Sequence, residues 1–215
     1  MPRRGRVSTR AAGLCDVAVP PAHAPSAPAT ACQGRVARGA LRLRPYEPAD
    51  AGRVVQLVTD VLERLYPTGG EWLERKLRSF EREGARCTLA EVGSTLLGLT
   101  IETVKGLGRC KLSTIWVDEP ARGRGIGTAL LDSCLVGWRR ELLNEAYVTV
   151  SLQVVGVVAL LLVPKGFQLR ALERDRYGAG RDEVVLAWSR AGQVASADRG
   201  WVNEQLGQIR SLPGA

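Results

Sequence analysis

The chain has 215 residues, of which 45% are hydrophobic and 24% charged, which excludes a wholly disordered chain and leaves room for one ordinary domain with tails. Its formal charge is +8, but residues 1–40 hold six arginines against one acid, Asp16, and so carry +5 of it. The remaining +3 is ordinary for a soluble domain, so nucleic acid is not an expected partner.

Residues 1–40 combine Pro20-Pro21 with further Pro and Ala and show no sustained apolar period, so they are expected to be a disordered basic extension. Their Arg-rich, acid-poor character is also that of a transit peptide, or of a start codon placed too early. Leu41–Arg44 alternates as a short strand. Pro48 to Tyr66 reads as a helix, with Val54, Val58 and Leu62 among its apolar positions. Pro67-Thr68-Gly69-Gly70 breaks it, and a second helix is expected from Glu71 to Glu83. Strands are expected at Ala85–Glu91, Thr95–Val104 and Arg109–Val117, with Val92-Gly93-Ser94 as a hairpin turn. A helix over Gly125–Leu143, a strand over Tyr147–Val154 and a short helix over Val157–Val163 follow. Strands at Phe167–Leu172 and Glu183–Trp188 close a mixed α/β layer over residues 41–188. Residues 189–215 read as a polar tail with weak helical character around Trp201–Ile209.

The most apolar stretch, Val148 to Val163, is interrupted by Thr149, Ser151 and Gln153 and falls short of the ~20 residues that span a bilayer, so no membrane association is expected. Five cysteines without a C-x-x-C pair speak against a disulfide framework or a zinc ribbon, and for small buried thiols in a reducing, cytoplasmic setting. The single histidine, His23, lies in the Pro/Ala-rich extension. Catalysis by imidazole and a histidine metal site are therefore not expected.

The most informative segment is Ile115-Trp116-Val117-Asp118-Glu119-Pro120-Ala121-Arg122-Gly123-Arg124-Gly125-Ile126-Gly127-Thr128. An apolar strand enters a loop of glycines and arginines, and a helix leaves it. Unpaired N–H groups in the first helical turn, left accessible by glycine, suit a phosphate group. The dinucleotide fingerprint fails at Thr128, where a third glycine would stand, and no Lys-Ser/Thr pair completes a P-loop.

What the segment does match is R-x-x-G-x-G, at Arg122, Gly125 and Gly127. With Arg42-Leu43-Arg44-Pro45, Pro48-Ala49-Asp50 and Lys165-Gly166-Phe167, it resembles the GNAT (GCN5-related) N-acetyltransferase family over about Leu41 to Trp188. The resemblance implies the GNAT acyl-CoA N-acyltransferase fold, an α/β architecture with a mixed central sheet of six to seven strands and helices on both faces. It implies acetyl-CoA as co-substrate and an amine as acceptor, with a homodimer left open. Trp116 and Val117 would offer main-chain groups to the pantetheine arm, and Arg122, Gly123, Arg124, Gly125, Ile126, Gly127 and Thr128 would hold the pyrophosphate. The reaction implied is direct acetyl transfer to a primary amine, without a covalent acyl-enzyme. Cys110 is discounted as a nucleophile because no histidine stands by to activate it.

For the base that deprotonates the amine, Glu102 is the candidate; its alternative is an exposed sheet carboxylate. The family commonly places an acid tyrosine on the short helix before the Gly-Phe pair, and here Val163 stands there. Tyr177 or water would then have to serve, or positioning alone. Tyr66 and Trp72 could frame an acceptor pocket or simply pack. Lys105, Arg109 and Lys111 read as a solvated basic group. Two other readings are a catalytically silent acyl-CoA-binding module, favoured by the missing tyrosine, and a toxin-like enzyme acting on aminoacyl-tRNA.

Overall fold

The computed structural model describes residues 40–80, 84–192 and 199–214. The extension expected at the N-terminus falls outside them, save for Ala40, as do Cys15, His23 and Cys32. Chain order is β1 (Leu41–Pro45), α1 (Ala51–Leu65), α2 (Gly69–Ser79), β2 (Ala85–Val92), β3 (Thr95–Val104), β4 (Arg109–Val117), α3 (Ile126–Arg140), β5 (Glu145–Ser151), α4 (Val155–Leu162), β6 (Phe167–Glu173), β7 (Glu183–Ser189) and α5 (Arg199–Arg210). The seven strands form one sheet in the order β1-β2-β3-β4-β5-β7-β6. Every neighbouring pair is antiparallel except β4 and β5, which run parallel. This is the mixed sheet that the sequence led us to expect.

Local chemistry explains where the first helices begin and end. Pro48 opens a 3-10 turn, and Glu47 and Asp50 close a capping box ahead of α1. Val54, Val58 and Leu62, four residues apart, are the buried stripe of α1. Pro67 forces Tyr66 into extended backbone (φ −131°, ψ 130°), which ends the helix. Gly69 and Gly70, read from sequence as part of a breaker, instead form the first turn of α2. A Cβ on Gly69 would lie 2.5 Å from the Leu62 carbonyl oxygen, so only glycine permits so close a helix crossing.

The helices lie on both faces of the sheet. Helices α1 and α2 pack their apolar stripes on Cys87, Leu89, Leu99 and Ile101 of β2 and β3. Helix α3 covers the opposite face, where Trp138 is fully buried with Leu112, Val148, Phe167, Leu186 and Trp188, and α4 contributes Ala159 and Leu162 to the same cluster. The polar look of the C-terminal segment conceals a stripe that joins this cluster. Ile209 of α5 is 1% exposed, and Trp201, Val202 and Leu206 pack beside it. Cys87, Cys110 and Cys134 are buried free thiols.

An ion-pair network ties β1 to β2 and to the start of α1. Arg44 donates to both oxygens of Asp50 at 2.7 Å and to Glu91 at 2.9 and 3.0 Å, and Arg53 pairs with both carboxylates. Arg44 holds the Asp50 carboxyl at about 2 and the Glu91 carboxyl below its usual value. Because both values are depressed in the folded state, the unfolded chain binds more protons as the pH falls below about 4. The network's contribution is therefore complete above the ordinary carboxylate range and lost as pH falls toward 2. Thermal melting between pH 6 and 2.5 should show this as a declining midpoint. In Asp50→Asn the decline should be shallower, and equal slopes would show that the network contributes nothing.

Candidate active site

Strands β4 and β5 pair over three residues only: Arg109 with Glu145, Cys110 with Ala146 and Lys111 with Tyr147. Beyond that point they part, although β4 continues to Val117 and β5 to Ser151. The divergence follows a bulge. Ile101 faces Thr114 while Glu102 faces Leu112, which leaves Ser113 as an extra residue in β4. Past the bulge, β4 keeps β3 on one side and has no strand on the other among the described residues. Main-chain groups along such a free edge are a template for an extended ligand. On the face shared with α1 and α2, Thr114 Oγ1 and Trp116 Nε1 are buried without a hydrogen-bond partner. Buried unmet polar atoms are costly, and their pairing here is a mark of a place built for a polar ligand.

The free stretch of β4 runs straight into a helix start. Asp118 accepts a bond from the Glu119 N–H at 3.0 Å and sets a 3-10 turn over Glu119–Ala121. Gly123 (φ +74°) and Gly125 (φ +79°) then take left-handed backbone that other residues adopt only under strain. The first helical bond of α3 runs from the Ala129 N–H to the Gly125 carbonyl at 2.9 Å, and no side chain caps the helix. The N–H groups of Ile126, Gly127 and Thr128 are therefore left for a ligand, at the positive end of the helix dipole. Ile126 anchors the turn in the core at 4% exposure. A Cβ on Gly127 would stand at ordinary contact distance, 3.4 Å from Leu161 and 3.6 Å from Val117, so this glycine lies between β4 and α4 without a steric demand for it. Val157 and Leu160 of α4 are exposed apolar side chains on the same helix as Leu161. All the residues expected to hold the cofactor thus gather in one corner. Arg122 lies back over β4, its guanidinium 4.5 Å from the Trp116 ring and its Nε donating to the Val117 carbonyl at 3.1 Å. Arg124 is exposed.

The expected acid and base fall elsewhere. Glu102 is 6% exposed and turns toward α3, where its carboxylate accepts from the Trp138 indole N–H and pairs with Arg86 at 3.4 Å. Burial raises its pKa, against the pull of Arg86 and Trp138. Val163 is fully buried in the core, and no residue of α4 carries a proton-donating side chain. Burial pushes the Cys110 thiol up to about 11, which leaves it inert as a nucleophile.

Sequence reasoning missed Glu183. It opens β7 opposite Ser151 of β5, on the sheet face away from α3, and is 1% exposed. Its Oε2 has no hydrogen-bond partner. Burial pushes its carboxyl up to about 7, against the opposing pull of Lys111, Arg176 and the Thr149 hydroxyl. Lys111, read from sequence as part of a solvated group, is brought down to about 8, by burial first and then by Arg176 and Lys105. Tyr66 reaches this corner from the end of α1. Its ring meets Tyr177 edge-on at 5.4 Å, and burial and the Glu183 charge both raise its hydroxyl. Arg181 donates to the Leu65 carbonyl at 2.9 Å and ties the segment before β7 to α1. Beside the cluster, Tyr147, Thr149, Val185 and Ala187 floor a groove of about 350 Å³ rimmed by Arg109, Arg170 and Arg176 with Glu145 and Glu173.

A family model described as the acetyltransferase (GNAT) family matches residues 52–167. A GNAT-family acetyltransferase from Desulfovibrio desulfuricans is similar at 18% identity and TM-score 0.61, over 70% of this chain and 99% of its own. The ribosomal-protein-S18-alanine N-acetyltransferase of Escherichia coli shares 18% identity at TM-score 0.58, over 70% of this chain and 94% of its own. A GNAT acetyltransferase from Elizabethkingia anophelis, with acetyl-CoA bound, shares 14% at TM-score 0.54, over 69% and 97%. No curated protein matches the chain. Among the described residues no helix is long and apolar enough to cross a membrane.

Proposed function

Since the chain belongs to the GNAT acetyltransferase family, we propose that it transfers an acetyl group from acetyl-CoA directly to a primary amine. The observation that carries this is the early end of the β4–β5 ladder beside an uncapped helix start. A free strand edge and three unpaired N–H groups lie in line, matching the extended arm and the diphosphate of that co-substrate. Bound acetyl-CoA would supply the thioester. The edge of β4 past Ser113 orients the arm, and the N–H groups of Ile126, Gly127 and Thr128, with Arg124 exposed nearby, meet the diphosphate. The exposed apolar side chains Val157 and Leu160 of α4 would cover the bound arm from that side. With Cys110 buried and its thiol raised, direct attack by the amine is favoured over a covalent intermediate.

One observation favours a second reading. Helix α4 offers no acid for the leaving thiolate, which would suit a silent acyl-CoA-binding module. Two measurements separate the readings. Calorimetry with coenzyme A should show saturable heat under both. Thiol release from acetyl-CoA over spermidine, tryptamine, kanamycin and a peptide with a free amino terminus should show turnover only for the transferase. Absence of binding would overturn both.

A further inference from the structure

On the sheet face away from α3, one buried carboxylate stands apart. We propose that Glu183 is the base of this transferase, its free Oε2 taking a proton from the acceptor's ammonium group in the corner between β7 and the unpaired end of β4. The inference rests on the acetyl-transfer reading and adds to it the residue that receives the proton.

Three observations carry it. The carboxylate is almost wholly buried, yet its Oε2 has no partner, so the protein leaves a strong acceptor atom unspent. It shares the sheet face of Thr114 and Trp116, whose polar atoms are also buried and unmet. Thr149 connects it to the groove, since the same side chain stands beside the carboxylate and lines the floor. The end of the groove at Thr149 is therefore the side from which an acceptor amine would reach the carboxylate. Glu102 is also buried, but it faces α3 and is held by Trp138 and Arg86.

The groups around Glu183 set its charge. Lys111 of β4, Thr149 of β5 and Arg176 before β7 favour the carboxylate, while burial opposes it; Tyr66 lies close enough to feel the charge. Glu173, directly across in β6, is engaged by Arg176. The balance leaves the carboxyl near 7, where a base is both ionised and able to hold a proton. In the step, an N–H bond of the ammonium breaks and its proton passes to Oε2. The freed electron pair on nitrogen forms the bond to the thioester carbonyl carbon, the C–S electrons leave on the coenzyme A sulfur, and the second proton that the nitrogen sheds on becoming an amide passes through solvent to that thiolate. Glu183 then returns its proton to solvent.

The test uses the full chain with acetyl-CoA and whichever amine of the panel above turns over. The wild-type rate should fall as pH drops below about 7, following the carboxyl. Glu183→Gln should keep coenzyme A affinity within twofold and lose about a hundredfold in rate at pH 7. That deficit should shrink as rising pH supplies free amine from solution. Undiminished rate with an unchanged pH profile would overturn the proposal while leaving the transferase reading intact; loss of coenzyme A heat in the wild type would overturn the reading itself. A second measurement needs no turnover. With protein labelled at the glutamate carboxyl carbon and saturated with coenzyme A, methylammonium chloride should move the Glu183 resonance, identified by its absence in Glu183→Gln, and lower its titration midpoint. A resonance indifferent to methylammonium would overturn the proposal.

Discussion

Replacing Gly125 with valine is expected to weaken coenzyme A binding about a hundredfold while the domain stays folded. Gly125 sits at φ +79°, and a built Cβ there meets nothing within 4 Å, so the penalty comes from the backbone and not from a clash. A β-branched residue in that conformation is an outlier, costing roughly 2 kcal/mol. The turn can relieve the strain only by rotating the peptides on either side, which swings the N–H groups at the start of α3 away from their common direction. Losing two charge-assisted bonds at about 1.5 kcal/mol each corresponds to roughly a hundredfold in affinity. Gly125→Ala should fall between valine and wild type, since alanine tolerates the conformation better. Calorimetry with coenzyme A reads the effect, and melting curves confirm folding. Affinity equal to wild type in the valine variant would mean that the helix start does not hold the diphosphate.

What the sequence revealed and concealed follows from the range of the interactions. The turn around Arg122–Thr128 was legible because strand, glycines and helix are contiguous, and the structure assembles them as one unit. The end of α1 was legible for the same reason, since Pro67 acts on its immediate neighbour. Glycine at 69 and 70 was misread because its purpose is a contact with Leu62 on another helix, which a local breaker rule cannot see. The surroundings of Glu102 and Glu183 were hidden by the same blindness. Both stand in apolar strands, and only the register of the sheet tells which face each one takes. Odd and even positions along β3 diverge onto α3 or onto α1 and α2, and Glu102 falls on the α3 side. Glu183 is opposite Ser151 through a pairing of strands 32 residues apart in sequence, so nothing local announced it. Lys111 shows the reverse case. Its neighbour Arg109 pairs with Glu145 near the surface, as a solvated charge would, whereas Lys111 one turn of the pleat further is drawn beside Glu183.

Trp138→Ala should cost about 4 kcal/mol, the largest single loss of stability we expect in the chain. Trp138 is fully buried, meets Phe167 edge-on at 6.1 Å and lies 5.5 Å from Trp188, so truncation opens a cavity where α3 meets β6 and β7. It also removes the indole donor from Glu102, leaving that buried carboxylate with Arg86 and the Cys134 thiol. Trp138→Phe separates the two effects. Phenylalanine keeps most of the ring packing but not the N–H, and its loss of about 1–3 kcal/mol measures the unmet carboxylate. If Glu102 is a structural partner, Glu102→Gln combined with Trp138→Phe should be less destabilising than the sum of the single changes, by more than ~0.5 kcal/mol. Urea denaturation supplies the four stabilities. In the same proteins coenzyme A affinity should be unchanged, because Trp138 stands in the last turn of α3, at the opposite end from the uncapped start proposed to meet the diphosphate. A Glu102→Gln protein of wild-type stability that had lost its turnover would instead return Glu102 to the chemistry and remove the structural ground for preferring Glu183.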